Sequence, residues 1–213
     1  MLEQEALAFS APRLLVVHGV LMSLAWGFLI PSGAFISLAW RSRLAKGRWL
    51  QLHRALQVSG LLLTIVGFAL SVSWVPDGYH FSHPHNIIGL VVVVLAMLQP
   101  LNSLARGKPA AATGGKRTTR RAVWELMHKG GGYAIIIMGV YQAVSGRYLM
   151  IDGDPILITY FVLLGLSLVI LISGLIMRRS QGPAQADQPN LAGRKADTVS
   201  VDMPRAPSQT VAA

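Results

Sequence analysis

The sequence predicts an all-α membrane protein with five transmembrane helices, its N-terminus outside and its C-terminus in the cytoplasm. Three observations lead there. The chain is 53 % apolar and only 13 % charged, several apolar stretches are long enough to cross a bilayer, and the basic residues are confined to alternate loops and the tail. The positive mean hydropathy points the same way.

A hydrocarbon core about 30 Å thick needs roughly 20 apolar residues at a helical rise of about 1.5 Å. The stretches that qualify are Pro12–Trp40, Leu50–Val75, His85–Ala105, Val123–Tyr148 and Pro155–Met177. No strand-like alternation competes with them. Between the first two lie Arg41, Arg43, Lys46 and Arg48. Between the third and fourth lie Arg106, Lys108, Lys116, Arg117, Arg120 and Arg121, and after the fifth Arg178 and Arg179. The opposite segments carry Glu3, Glu5, Asp77, Asp152 and Asp154. The excess of lysine and arginine marks the cytoplasmic side.

The first apolar stretch lacks a basic leader and is followed by arginines, so a retained span is expected and not a cleaved signal peptide. The expected organisation is a short extracytoplasmic N-terminus (1–11), a transmembrane domain (12–178) and a cytoplasmic tail (179–213). The tail, rich in Gln, Pro, Ala, Asp and Arg without apolar period, is expected to be disordered. The net charge of +10 resides in short loops and tail and not on a soluble basic face, so nucleic-acid binding is not expected. Cysteine is absent, which excludes disulfides, thiolate-held clusters and covalent C-x-x-C-H haem attachment.

Ligand-capable side chains inside a span mark functional sites by default. His18 lies about two turns into the first span and His85 opens the third, both counted from the outside. His53 lies near the start of the second span and His128 about two turns into the fourth, both counted from the cytoplasm. Topology therefore places His18 with His85 at an outer level and His53 with His128 at an inner one. Two imidazoles facing each other from separate helices suit bis-histidine ligation of a haem iron. Gly89, Gly131 and Gly132 follow a histidine by three or four residues, and Gly60 and Ala25 by seven. Small residues there leave room for a ring, although close helix packing is by itself the better explanation of them. His80 and His83 fall in the outer loop and read as solvent-exposed, with a metal-ion substrate as the weaker alternative.

At these residues the chain resembles the cytochrome b561 family, in its group with ferric-reductase-like and DOMON-linked transmembrane cores. The matching stretches are H-G-V-L-M-S-L-A-W-G-F-L-I-P-S-G from His18, W-L-Q-L-H-R-A-L-Q-V-S-G around His53, H-N-I-I-G-L from His85, and W-E-L-M-H-K-G-G-G-Y around His128. The resemblance implies a four-helix core plus one extra helix, with two non-covalent haems b ligated by His18/His85 and His53/His128. It also implies transfer of single electrons from a cytoplasmic donor such as ascorbate to an outer acceptor, monodehydroascorbate or ferric iron. The chain would then be a transmembrane oxidoreductase of the ascorbate-dependent or ferric-reductase type, multi-pass in a plasma membrane, an endomembrane or a bacterial inner membrane. A homodimer is compatible with the resemblance. No DOMON domain is expected ahead of the first span.

Placed near opposite faces of the core, the irons would sit about 20 Å apart. Candidates to tune them are Arg54, Gln57 and Lys129 inside and Arg13, Asn86 and Arg147 outside. Trp49 and Trp124 read as an interfacial belt, and Trp26 as helix filling. Met22, a turn from His18, is a poorer ligand candidate than His85. Two other functions compete: a haem b anchor passing quinol electrons to a partner reductase or dehydrogenase, and a haem-free scaffold or transporter. Glu125 is the lone acidic residue near a span interior and Pro31 the lone proline well inside one, which argues against the broken helices and mid-membrane acids of a transporter.

Overall fold

Leucine, isoleucine and valine recur around the whole circumference of each predicted span, as expected for helices that face lipid on one side and each other on the other. The computed structural model describes residues 2–45, 47–74, 80–107, 114–116, 118–149 and 154–180, with side chains from residue 13 onward. Every regular element among them is helical. The tail from residue 181, Lys46, Asp77, Lys108, Arg117 and Asp152 lie outside the described residues.

Helix α1 (residues 2–40) is α-helical over Leu2–Ser23 and Ile30–Phe35 and π-helical over Leu24–Leu29 and Ile36–Trp40. Pro31 explains part of this: it has no N–H to offer the preceding turn and its ring crowds that carbonyl, so the helix widens just ahead of it. Gly47, with φ +86°, turns the chain into α2 (Arg48–Trp74). Helix α3 (Pro84–Asn102) opens with a proline in its first turn, where the missing N–H has no helical partner to lose. Helix α4 is α-helical over Thr119–Glu125 and Gly131–Arg147, with a π segment, Leu126–Gly130, between them. The Thr118 side chain caps it by accepting from the Arg121 N–H. Helix α5 spans Asp154–Arg179.

Among the described residues four helices are long and apolar enough to cross a membrane: Arg13–Trp40, Arg48–Trp74, Pro84–Ala105 and Asp154–Arg179. Helix α4 completes the expected five. It is less apolar because it carries Gln142, Ser145 and several glycines. In chain order each of α1 to α4 packs on the next, and α4 closes back onto α1. The core between them is Ala25, Trp26, Ile30, Val92 and Ile135, joined by Tyr160 from α5. The outer surface is apolar, with residues such as Leu62, Ile137 and Val162 exposed on it.

Lipid tails are as apolar as leucine, so helices associate in a bilayer mainly by close packing and hydrogen bonding. Glycines supply that here. A Cβ on Gly139 would meet the Trp26 ring at 2.8 Å, and one on Gly60 would meet Ile30 at 2.6 Å. Helix α5 lies along α1 by the same device, with Gly27 against the Tyr160 backbone, Gly19 against Ile156, and Gly174 against Ala39 and Trp40. The Trp40 indole N–H also donates to the Ile170 carbonyl at 2.7 Å.

Gly27→Ala is expected to destabilise the protein by about 1–3 kcal/mol, because the added Cβ would lie 2.9 Å from the Tyr160 carbonyl oxygen, and backbone cannot step aside. Gly165→Ala, with nothing within 4 Å of its Cβ, is expected to be neutral or slightly stabilising. Thermal unfolding of both variants in one detergent checks this; equal melting temperatures would mean that α5 does not pack on α1 as described.

Candidate cofactor site: two histidine pairs in the bundle

At the outer level, His18 on α1 faces His85 on α3 with ring centroids 6.5 Å apart and planes at 78°. His18 Nδ1 donates to the Gly67 carbonyl of α2 at 2.8 Å. A carbonyl can only accept, so Nδ1 carries the proton and Nε2 keeps its lone pair. His85 Nδ1 lies 3.0 Å from the Ser145 hydroxyl of α4. Its ring lies flat against Gly146, where a Cβ would sit 2.9 Å from Cε1.

At the inner level, His53 on α2 faces His128 on α4 at 6.2 Å with planes at 74°. His53 Nδ1 donates to the Gly33 carbonyl of α1 at 2.9 Å, so this ring also presents an unprotonated Nε2. Next to it, Gln57 donates to the Ile30 carbonyl at 2.9 Å. His128 sits in the π segment of α4, a helical irregularity that recurs at functional sites. Its ring stacks on Trp124 at 5.1 Å and 10°. Two guanidiniums, Arg121 at 4.6 Å and Arg106 at 5.4 Å, lie over the same indole. His128 Nδ1, Trp124 Nε1, Gln99 Oε1 and Ser32 Oγ are buried without a hydrogen-bond partner among the described residues. Buried polar atoms in that state call for a further group.

The inner face is strongly cationic. Partial desolvation first, then Arg121, Arg41 and Arg54, push the Arg106 guanidinium below its ordinary pKa, and Glu125 partly offsets them. Glu125 itself is bridged by Arg121 at 2.8 Å and Lys129 at 3.7 Å. At the outer face Arg147 pairs instead with Asp154 across the α4–α5 connection.

A cavity of about 780 Å³ opens beside the outer pair, bounded by His18, His85, Trp26, Phe68, Gln142 and Tyr160. That is within the usual range for cofactor pockets, about 300–1,000 Å³. Its rim takes in His80 and His83, so these loop histidines border the cavity as well as solvent.

The structure therefore brings together the two pairs that depth and topology suggested. It moves Trp124 from a lipid-facing belt to a buried stack on His128. Met22 lines the cavity wall and packs beside Gly67. Sequence reasoning missed the Gly33 and Gly67 acceptors, because a backbone carbonyl has no residue signature. It also passed over Gln142 and Ser145, although polar residues within a span were signal enough.

The family model described as eukaryotic cytochrome b561 matches residues 17–151. Among relatives, a cytochrome b561, DM13 and DOMON domain-containing protein of Arabidopsis thaliana is 34 % identical over 131 residues, covering 61 % of this chain and 14 % of that protein. A cytochrome b561 and DOMON domain-containing protein of the same plant is 31 % identical over 142 residues, 65 % of this chain and 33 % of the relative. Ferric-chelate reductase 1 of Mus musculus is 33 % identical over 139 residues, 62 % of this chain and 22 % of the reductase. The chain thus spans a third or less of the length of these relatives. No solved structure matches it. Because the family match takes in all four intramembrane histidines and the polar residues around them, the chain belongs to the cytochrome b561 family of multi-pass, haem b-binding membrane proteins.

Proposed function

We propose that each histidine pair holds one haem b by axial ligation, His53 with His128 at the arginine-rich face and His18 with His85 at the opposite face. The chain then carries single electrons from a cytoplasmic donor of ascorbate type to an extracytoplasmic acceptor, ferric chelate or monodehydroascorbate. Residues 12–178 form the working domain.

The observation that carries this reading is the ring spacing. A metal–imidazole bond of about 2 Å on each side, with about 1 Å more from each nitrogen to its ring centre, separates the centroids of two coaxial ligands by about 6 Å. The two pairs stand at 6.5 and 6.2 Å. The cavity beside the outer pair and the partnerless polar atoms around the inner one fit the same group.

His18 with His85 and His53 with His128 would hold haem b, which when bound would supply reversible one-electron exchange. The residues of the chain do the rest. Gly67 and Gly33 carbonyls hold His18 and His53 in the ligand-competent tautomer. The core of Trp26, Ile30, Val92 and Ile135 fills the space between the levels and keeps water out. Arg41, Arg54, Arg106 and Arg121 make the inner face attractive to an anionic reductant. The name of the mouse relative favours ferric chelate as acceptor, and the names leave the donor open.

Purified protein is expected to give a b-type reduced-minus-oxidised spectrum with two haems per chain. His85→Ala and His128→Ala should each lose one of them. A single haem, or none, in protein made with ample haem overturns the assignment. Gly146→Ala is expected to lower haem retention by crowding His85, whereas Gly132→Ala, with open space around its Cβ, should leave it unchanged. Vesicles loaded with ascorbate are expected to reduce an external ferric chelate; reduction by a quinol but not by ascorbate would reassign the donor.

A further inference from the structure

The four histidines are not anchored alike. His18 and His53 each give their Nδ1 proton to a backbone carbonyl, a partner that only accepts. His128 rests on an indole. His85 meets two side chains of α4 at the same nitrogen. Ser145 Oγ lies 3.0 Å from Nδ1 and donates its own proton to the Gln142 carbonyl at 3.2 Å, so toward the imidazole it acts as acceptor. With its amide turned so that both ends find partners, Gln142 donates to Nδ1 at 2.8 Å and to the His85 carbonyl at 3.1 Å, and accepts from the Gly89 N–H at 2.8 Å. The Gln142 bond needs a lone pair on Nδ1 and the Ser145 bond needs a proton there, so the tautomer of His85 decides which side chain holds the ring.

We propose that Ser145 is a positioning residue that, by accepting the His85 Nδ1 proton, sets the electron-donating strength of that ring and so the reduction potential of the outer site. This rests on the reading that His18 and His85 hold a haem. With Nε2 committed to the iron, Nδ1 would carry the proton, which selects the Ser145 bond. An acceptor that draws on that proton enriches the ring and favours oxidised iron, which lowers the potential. The geometry offers no counterpart at His18 or His53, where the acceptor is backbone and no substitution removes it.

The test is a spectroelectrochemical titration of the full-length purified dihaem protein, with the outer step assigned as the one missing in His85→Ala. Ser145→Ala should move the outer midpoint upward. The shift amounts to about 59 mV for every tenfold change in relative affinity for the two iron oxidation states. The inner step should stay in place, and Ser145→Thr, which keeps the hydroxyl, should hold the native value. A downward shift, or none, overturns the proposal while the two-haem reading stands. If Ser145→Ala sheds the outer haem, Ser145→Cys, whose thiol accepts more weakly, should show the upward shift, and its absence overturns the proposal. Wild-type protein with fewer than two haems, or His85→Ala that keeps both, overturns the earlier reading instead.

Discussion

Everything in this bundle leans on a reciprocal pair of hydrogen bonds between α1 and α2. His18 of α1 donates to Gly67 of α2, and His53 of α2 donates to Gly33 of α1. In lipid, an imidazole N–H without a partner is costly, so each ring is bound to the neighbouring helix. Both acceptors are glycines, which lets the helices approach closely. Histidine and acceptor are 15 residues apart on α1 and 14 on α2. At about 1.5 Å per residue this sets the two levels about 21–23 Å apart along the helices. The same two bonds thus fix helix register, ring tautomer and the separation of the sites.

Between the levels sits Trp26, seated on Gly139 and surrounded by Ile30, Val92, Ile135 and Tyr160. Its position follows from the gap that the glycine leaves in α4. In the proposed reading this apolar layer would separate the two sites from each other's water and protons. Helix α5 contributes to this layer through Tyr160, whose ring is almost fully buried. The fifth helix is therefore part of the core and not a separate anchor.

The two faces differ in charge as the topology requires. Arginines that mark the cytoplasmic side also converge on the inner pair, two of them over the indole that stacks on His128. At the outer level, Arg147 is neutralised by Asp154 and the histidines meet neutral partners. In the proposed reading an anionic donor is drawn to the inner face and a polar side chain tunes the outer one, so the residues that orient the protein are also those that attract its substrate.

The sequence by itself determined the helical class, the spans, their orientation from loop charge and the depth of the four histidines, because hydropathy and position along a helix are one-dimensional properties. It also carried the family blocks, since each histidine is embedded in a local motif. The tertiary structure decided what holds those histidines. Gly33 and Gly67 act through backbone carbonyls, which any residue possesses, and only the packing of α1 on α2 selects them. Trp124 looked like a boundary residue, yet the π segment of α4 and the arginines above it turn it inward against His128. Ser145 and Gln142 lie 60 and 57 residues from His85, a distance that no local pattern bridges. Their contact exists because α3 and α4 pack side by side, and packing is a property of pairs of helices, not of either sequence alone.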